Sequence, residues 1–187
     1  MPNKIKYGLK NVHYAVATDD GTGKLTYATP VPIPGAVNMS MDAQGDSSPF
    51  YADNIVYWQG TANNGYSGTL ELAKIPDSFR TDVLGETADK NGVTFESSDA
   101  PTVEFALLFQ FEGDANAVRH CFYRCTCSRP AVNGATVEAS ITPQTETLNL
   151  TAMARIDDNI VKSRCDEATA ATQYASWFTQ VYEQVNL

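Results

Sequence analysis

The sequence predicts a mainly β protein: a β-sandwich or barrel with one short flanking α-helix and a C-terminal helix. Three observations predict it. First, residues 102–129 read TVEFALLFQFEGDANAVRHCFYRCTCSR, with Val103, Phe105, Leu107, Phe109 and Phe111 on alternate positions. That is the period of a strand, not of a helix. Second, strand-like runs bounded by Gly, Pro, Asp and Asn recur along most of the chain. Third, apolar residues at three- and four-residue steps occur only in two short stretches. Each arm of the 102–129 hairpin is long, since ten residues span about 33 Å at ~3.3 Å per residue. One face of such a hairpin must be covered by another layer.

In chain order, residues 5–17 form a strand in which Val12, Tyr14 and Val16 alternate with His13, Ala15 and Ala17. Asp19-Asp20-Gly21-Thr22-Gly23 is a turn, and residues 25–28 return from it. Pro30, Pro32 and Pro34 make an extended connector that ends at Gly35. Residues 36–41 read as a strand with Val37, Met39 and Met41 on one side. Residues 42–64 are the least regular segment, an expected loop rich in Asp, Asn, Gly and Ser that still carries Phe50, Tyr51, Tyr57 and Trp58. Those aromatics read either as a folded-back small core or as an interface, where aromatics are enriched.

Residues 66–73 form a strand with Leu70 and Leu72 opposite Glu71. Pro76 or Asp77 opens a helix with Phe79, Val83 and Leu84 as its apolar stripe, and Gly85 ends it. A turn at residues 89–92 precedes a short strand at 93–95. After the central hairpin, residues 145–155 place Leu148, Leu150 and Ala152 on one face, and 160–162 are a short strand. Tyr174, Trp177, Phe178, Val181 and Tyr182 predict a terminal helix. No linker and no fixed-period repeat interrupts residues 1–187, so one domain is expected.

The composition is that of an ordinary globular protein, 43% hydrophobic and 19% charged. The net charge of −9 argues against a surface that grips phosphates, which needs clustered Lys and Arg. No run of ~18 apolar residues predicts a membrane span. The N-terminal stretch lacks the continuous apolar core of a secretory signal, which predicts folding in the cytoplasm.

Sites of chemistry are sparse. Cys121, Cys125 and Cys127 fall on odd positions and are expected to point the same way; with Cys165 they make four cysteines. Cys-x3-Cys-x-Cys is not the knuckle spacing of a zinc site, so small buried apolar side chains are expected. His13 and His120 stand in no nucleophile–base pattern, and His120 and Cys121, adjacent on a strand, point to opposite faces. Gly21-Thr22-Gly23-Lys24 lacks the remainder of a phosphate loop. No catalytic residue, metal ligand or cofactor is predicted, and the protein is expected not to be an enzyme.

The order of small motifs carries more. YGLKNVHYA at 7–15 is followed by GTLEL at 68–72, IPDSF at 75–79 and VLG at 83–85. FALLF at 105–109, YRC at 123–125, SRP at 128–130, TETL at 145–148, WF at 177–178 and VY at 181–182 complete the series. This order resembles the major tail protein, or tail tube protein, of long-tailed phages of Gram-positive bacteria. The resemblance covers nearly the whole chain. It implies a structural virion protein with a β-sandwich and flanking helix. Its copies would form six-membered rings stacked into a hollow tube through which DNA leaves the capsid. The implied partners are other copies of the chain and the tape-measure, tail-terminator and baseplate proteins. DNA would pass without specific binding, no membrane is involved, and the implied location is the virion tail, after assembly in the host cytoplasm.

Within that frame, closure of a ring removes exposed sheet edges, and an acidic lumen repels phosphates over about 8 Å at physiological salt. Glu71, Glu104 and Glu112, with Gln110, are the candidate lumen-facing positions, or else ordinary solvated acids on a sheet face. Phe50, Tyr51, Tyr57 and Trp58 are the candidate ring-to-ring anchors. The alternative is a monomeric carbohydrate-binding β-sandwich with Tyr57, Trp58 and Tyr66 as a stacking platform.

Overall fold

The computed structural model describes residues 3–136 and 142–185. Its strands are β1 (Lys6–Asp19), β2 (Leu25–Tyr27), β3 (Val31–Pro32), β4 (Ala36–Ala43), β5 (Ser47–Ala52), β6 (Ile55–Thr61) and β7 (Tyr66–Leu72). After helix α1 (Asp77–Asp82) come β8 (Thr87–Ala88), β9 (Thr94–Phe95), β10 (Phe105–Gly113), β11 (Val118–Cys127), β12 (Glu146–Met153) and β13 (Lys162–Asp166). Helix α2 (Ala171–Ser176) is the last element. The protein is mainly β, as the alternation predicts.

One large antiparallel sheet runs β2-β1-β10-β11-β12-β7-β4, with β13 on the first half of β11 and β3 on β1. It folds over on itself. Leu70, Leu72, Leu148 and Leu150 from the β12–β7–β4 limb meet Val12, Tyr14, Phe105, Leu107 and Phe109 from β1 and β10 in the main core. A fully buried Leu or Phe contributes about 1.5–3 kcal/mol, so this stripe is the principal cohesive element. The other face of β1, β10 and β11 is also covered. Ala15, Ala106, Leu108, Cys121 and Tyr123 pack there against Trp177. The central hairpin is therefore the middle layer, greasy on both sides, and Leu108 and Ala106 are as buried as Phe105.

Helix α1 closes one end of the main core. Pro76 is its N-cap, whose carbonyl accepts from the Arg80 N–H at 3.2 Å, and Gly85 takes φ +74° just past its end. Phe79 packs edge-on to Tyr14 and Phe105, with ring centroids 5.1 and 5.4 Å apart. The Tyr14 hydroxyl donates to Asp82 at 2.8 Å.

Several expectations are corrected. The three β11 cysteines do not point the same way. Leu107 faces Phe122 but Phe105 faces Cys125, so β11 carries one extra residue. That bulge reverses the alternation: Cys121 lies on the Trp177 side, and Cys125 and Cys127 in the main core. All four cysteines are buried and free, as small apolar residues should be.

A bulge in β4 between Ala36 and Asn38 turns Val37 out to solvent, leaving Met39 and Met41 on the core. Strand β10 begins at Phe105, after Val103. The terminal helix is shorter than the spacing predicts, ending at Ser176. Trp177, the C-cap residue, is buried against the sheet, where its indole N–H donates to the His120 carbonyl at 3.2 Å. The Arg119 guanidinium sits 3.7 Å from the Tyr174 ring centre and hydrogen-bonds the Tyr174 carbonyl. Sheet contacts thus replace the last helical turns.

Candidate assembly surface

Residues 42–64 are not a loop. They continue the β4–β7 pair outward as a two-stranded arm, β5–β6. The ladder bridges the junction: Gln44 N–H donates to Gly65 O and Asn64 N–H to Gln44 O, both at 2.9 Å, and Ala62 N–H donates to Asp46 O at 3.0 Å. The arm turns at Asp53-Asn54, where φ is +52° and +63°. Asp and Asn tolerate that region, and two positive φ values fit the twist of a two-residue hairpin. The signal is present in the sequence, since Asp-Asn lies between Phe50-Tyr51-Ala52 and Ile55-Val56-Tyr57-Trp58. The surrounding polar residues mask it.

Phe50 pairs with Trp58 and Ala52 with Ile55, so these share one face of the arm. Tyr51 pairs with Val56 on the other, and the register shift between them leaves Tyr57 bulged from the ladder. The Trp58 ring lies over Gly60, where a Cβ would stand 2.4 Å from it. Every residue of both strands except Ala52 and Gly60 is exposed. Tyr57 is 70% exposed, Tyr51 64%, Trp58 61% and Phe50 59%. The small-core reading is therefore excluded: among the described residues these aromatics cover no more than the Gly60 backbone under Trp58. The arm also holds no Lys or Arg, while Asp42, Asp46 and Asp53 lie along it.

The three candidate acids do not share a face. Glu71 is on the outward face of the β12–β7–β4 limb and accepts from the Thr145 hydroxyl at 2.6 Å. Glu104 and Glu112 belong to the opposite side of the sandwich, at the two ends of β10, with the Trp177 cluster between them. Both are neutralised there. Arg124 clasps Glu104 with Nε 3.0 and 2.9 Å from its two oxygens and Nη2 2.8 Å from one, which raises the guanidinium's pKa. Lys10 meets Glu112 at 2.6 Å. Gln110, expected to face outward, is buried.

The face around Glu71 is polar throughout. Register places Asn38, Ser40 and Asp42 of β4 beside Ser67, Thr69 and Glu71 of β7, and these beside Thr147, Asn149 and Thr151 of β12. This grid holds two carboxylates and no cation. Sequence alternation marks its strands but not their neighbours, so only Glu71 is singled out beforehand.

The carbohydrate platform is not assembled. Tyr66 stands at the base of the arm against Phe122, with ring centroids 5.1 Å apart, while Tyr57 and Trp58 are near the tip, eight or nine residues along the ribbon, roughly 25–30 Å. His120 stacks on Phe109 at 5.2 Å, and burial is the main cause holding its pKa down to about 4. Cys121 is on the other side of the sheet, its thiol pushed up by burial. Among the described residues no three His, Cys, Asp or Glu side chains gather to hold a metal. No helix among them is long and apolar enough to cross a membrane.

The described residues thus define a β-sandwich subunit with an uncovered β arm. A family model described as phage tail tube protein matches residues 2–110. The match covers more than half of the chain, and the chain belongs to that family: it is a structural protein of a phage tail. No curated protein matches it.

Proposed function

We propose that copies of this chain join side by side into rings of six and that the rings stack into the tail tube, the conduit for DNA ejection. The carrying observation is the arm, whose six large apolar side chains, Phe50, Tyr51, Ile55, Val56, Tyr57 and Trp58, have no cover within the subunit. An isolated two-stranded hairpin is marginal in water, and an apolar patch of this kind marks an interaction site. The arm makes the contact between rings. Strand β4, at the end of the sheet with one edge unpaired among the described residues, offers the backbone edge that a neighbour completes. Repetition of such a head-to-tail contact closes a ring when its rotation permits.

In this arrangement the polar grid around Glu71 lines the lumen. Hydroxyl and amide side chains need no apolar cover, and the carboxylates of Glu71 and Asp42 repel phosphates instead of holding them. Glu104 and Glu112 then face away from the channel. The tape-measure protein would occupy the same lumen, and the terminator and baseplate proteins would cap the tube's ends; assembly takes place in the host cytoplasm. Negative-stain microscopy of the purified chain over a range of concentrations, with mass measurement of the smallest closed particle, tests this. Annular or tubular particles with six copies per ring are expected. A monomer at every concentration would overturn the proposal.

A further inference from the structure

The main core is closed by α1 at one end and left open at the other. The stripe Phe105, Leu107, Phe109, Phe111 runs out past its cover: the first three are buried, and Phe111 is half-buried. A cleft of about 350 Å³ opens there, lined by Phe111, His120, Tyr66, Met39, Met41 and Lys6, with Lys162 on its rim. Lys6 Nζ is 4.4 Å from the Phe111 ring centre and Lys162 Nζ 4.3 Å from that of Tyr66. Neither lysine has a carboxylate partner among the described residues. A second hollow lined by Lys4, Lys6, Arg164 and Glu112, the last paired with Lys10, adjoins it, sharing Lys6, Phe111 and His120. In a chain of net charge −9, this end is basic.

We propose that this cleft receives the tip of the arm of a second copy, with Tyr57 as the inserted side chain. The inference rests on the reading of the arm as an assembly element and adds its receiving site. Charge supports it: the arm's tip carries Asp53, no cation lies along the arm, and the cleft is rimmed by lysines. Chemistry supports it too. A phenol ring meets thioethers, aromatic faces and ammonium groups, all of which attract its π system. His120, kept neutral by burial and the nearby cations, adds another uncharged ring. The volume suits one or two side chains. The occupant cannot be the chain's own arm, because Met41 and Tyr66 flank that arm's base and Tyr57 is about 30 Å out along the ribbon. A tip-to-base contact is heterologous, so it repeats from copy to copy.

The test replaces Tyr57 in the full chain by photoreactive benzoylphenylalanine, mixes isotopically heavy variant with light wild-type chain under assembling conditions, irradiates, and maps the cross-linked peptides by mass spectrometry. Heavy-to-light links into the peptide carrying Met39 and Met41, or at Phe111, are expected. Their yield should fall at least about tenfold in a light chain carrying Lys6→Glu and Lys162→Glu. Interchain links that map elsewhere would overturn the cleft and leave the arm's role intact. Particles visible by microscopy with no interchain link would overturn both. Binding of a labelled oligonucleotide that is abolished by the same two substitutions would assign the cleft to phosphate and overturn the proposal.

Discussion

Removing the arm's exposed rings separates assembly from folding. In a Tyr57→Ala, Trp58→Ala double variant, the folded monomer loses almost no packing, because the two side chains are 70% and 61% exposed. Surface changes of this kind stay within about 0.5 kcal/mol of neutral. The assembled state loses much more. An aromatic side chain of roughly 200 Å² that is 70% exposed has about 140 Å² left to bury against a partner. At ~25 cal/mol per Å² that is about 3.5 kcal/mol for Tyr57. Ordering the side chain offsets about 1 kcal/mol. The remainder, about 2.5 kcal/mol, weakens each contact roughly sixtyfold, and the second ring multiplies the effect.

Sedimentation velocity against concentration gives the assembly midpoint, and thermal unfolding of the monomer gives stability. The expected result is a rise of at least about sixtyfold in the concentration needed for assembly, with an unfolding midpoint within about 2 °C of the parent. A fall of the midpoint by more than about 6 °C with assembly unchanged would refute the reasoning, since the rings would then be stabilising their own subunit.

Three further outcomes are expected. Gly68→Val should detach β4, because even a Cβ at this position stands 1.8 Å from the Ser40 carbonyl oxygen and 2.8 Å from Met41 Cα; the cost should exceed the ~1–3 kcal/mol of ordinary overpacking, and hydrogen exchange should show β4 amides unprotected while β10 stays protected. His120 is held at about 4 in the folded chain against an ordinary 6.5. The unfolded chain therefore binds its proton first, and stability should decline as the pH falls from about 6.5 to 4, by about 1–2 kcal/mol after discounting for partial solvent access, a slope that His120→Phe should remove in pH-dependent urea denaturation. All four thiols are buried, with burial the leading cause raising each pKa, that of Cys127 to about 11; a maleimide reagent should leave them unlabelled in the native protein at neutral pH and label all four in denaturant, and rapid native labelling of Cys125 would contradict the fold.

What the sequence reveals and conceals follows from physical range. Period-2 alternation is local, and it correctly assigns the inward residues of β7, β10 and β12, while helical spacing does the same for Phe79, Val83 and Leu84 around α1. The second buried face of β10 is also written there, in Ala106 and Leu108, but its cover lies some seventy residues away in Trp177. The same Trp177 belongs to an apparent helical stripe that the sheet captures instead. The β11 bulge leaves no compositional mark, so Cys121 changes sides unannounced. The site divides likewise. Aromatic side chains at 50, 51, 57 and 58 are visible as candidates, yet whether they fold inward depends on what the rest of the chain can offer them. The three acids look alike in sequence, and only the folding over of the sheet and pairing with Arg124 and Lys10 separate Glu104 and Glu112 from Glu71.

The hydrogen-bonded junction between β4–β7 and β5–β6 has a mechanical consequence. A tensile load applied at the arm's tip runs parallel to the strands and is shared by the cross-strand hydrogen bonds as shear, instead of opening them one at a time as a peel would. The load reaches β7 and then β12 through the junction hydrogen bonds of Gln44, Asn64 and Ala62, where Gly45 and Gly65 take positive φ. A filament joined through such arms would resist stretching along its axis while still yielding to bending, where each joint need only tilt.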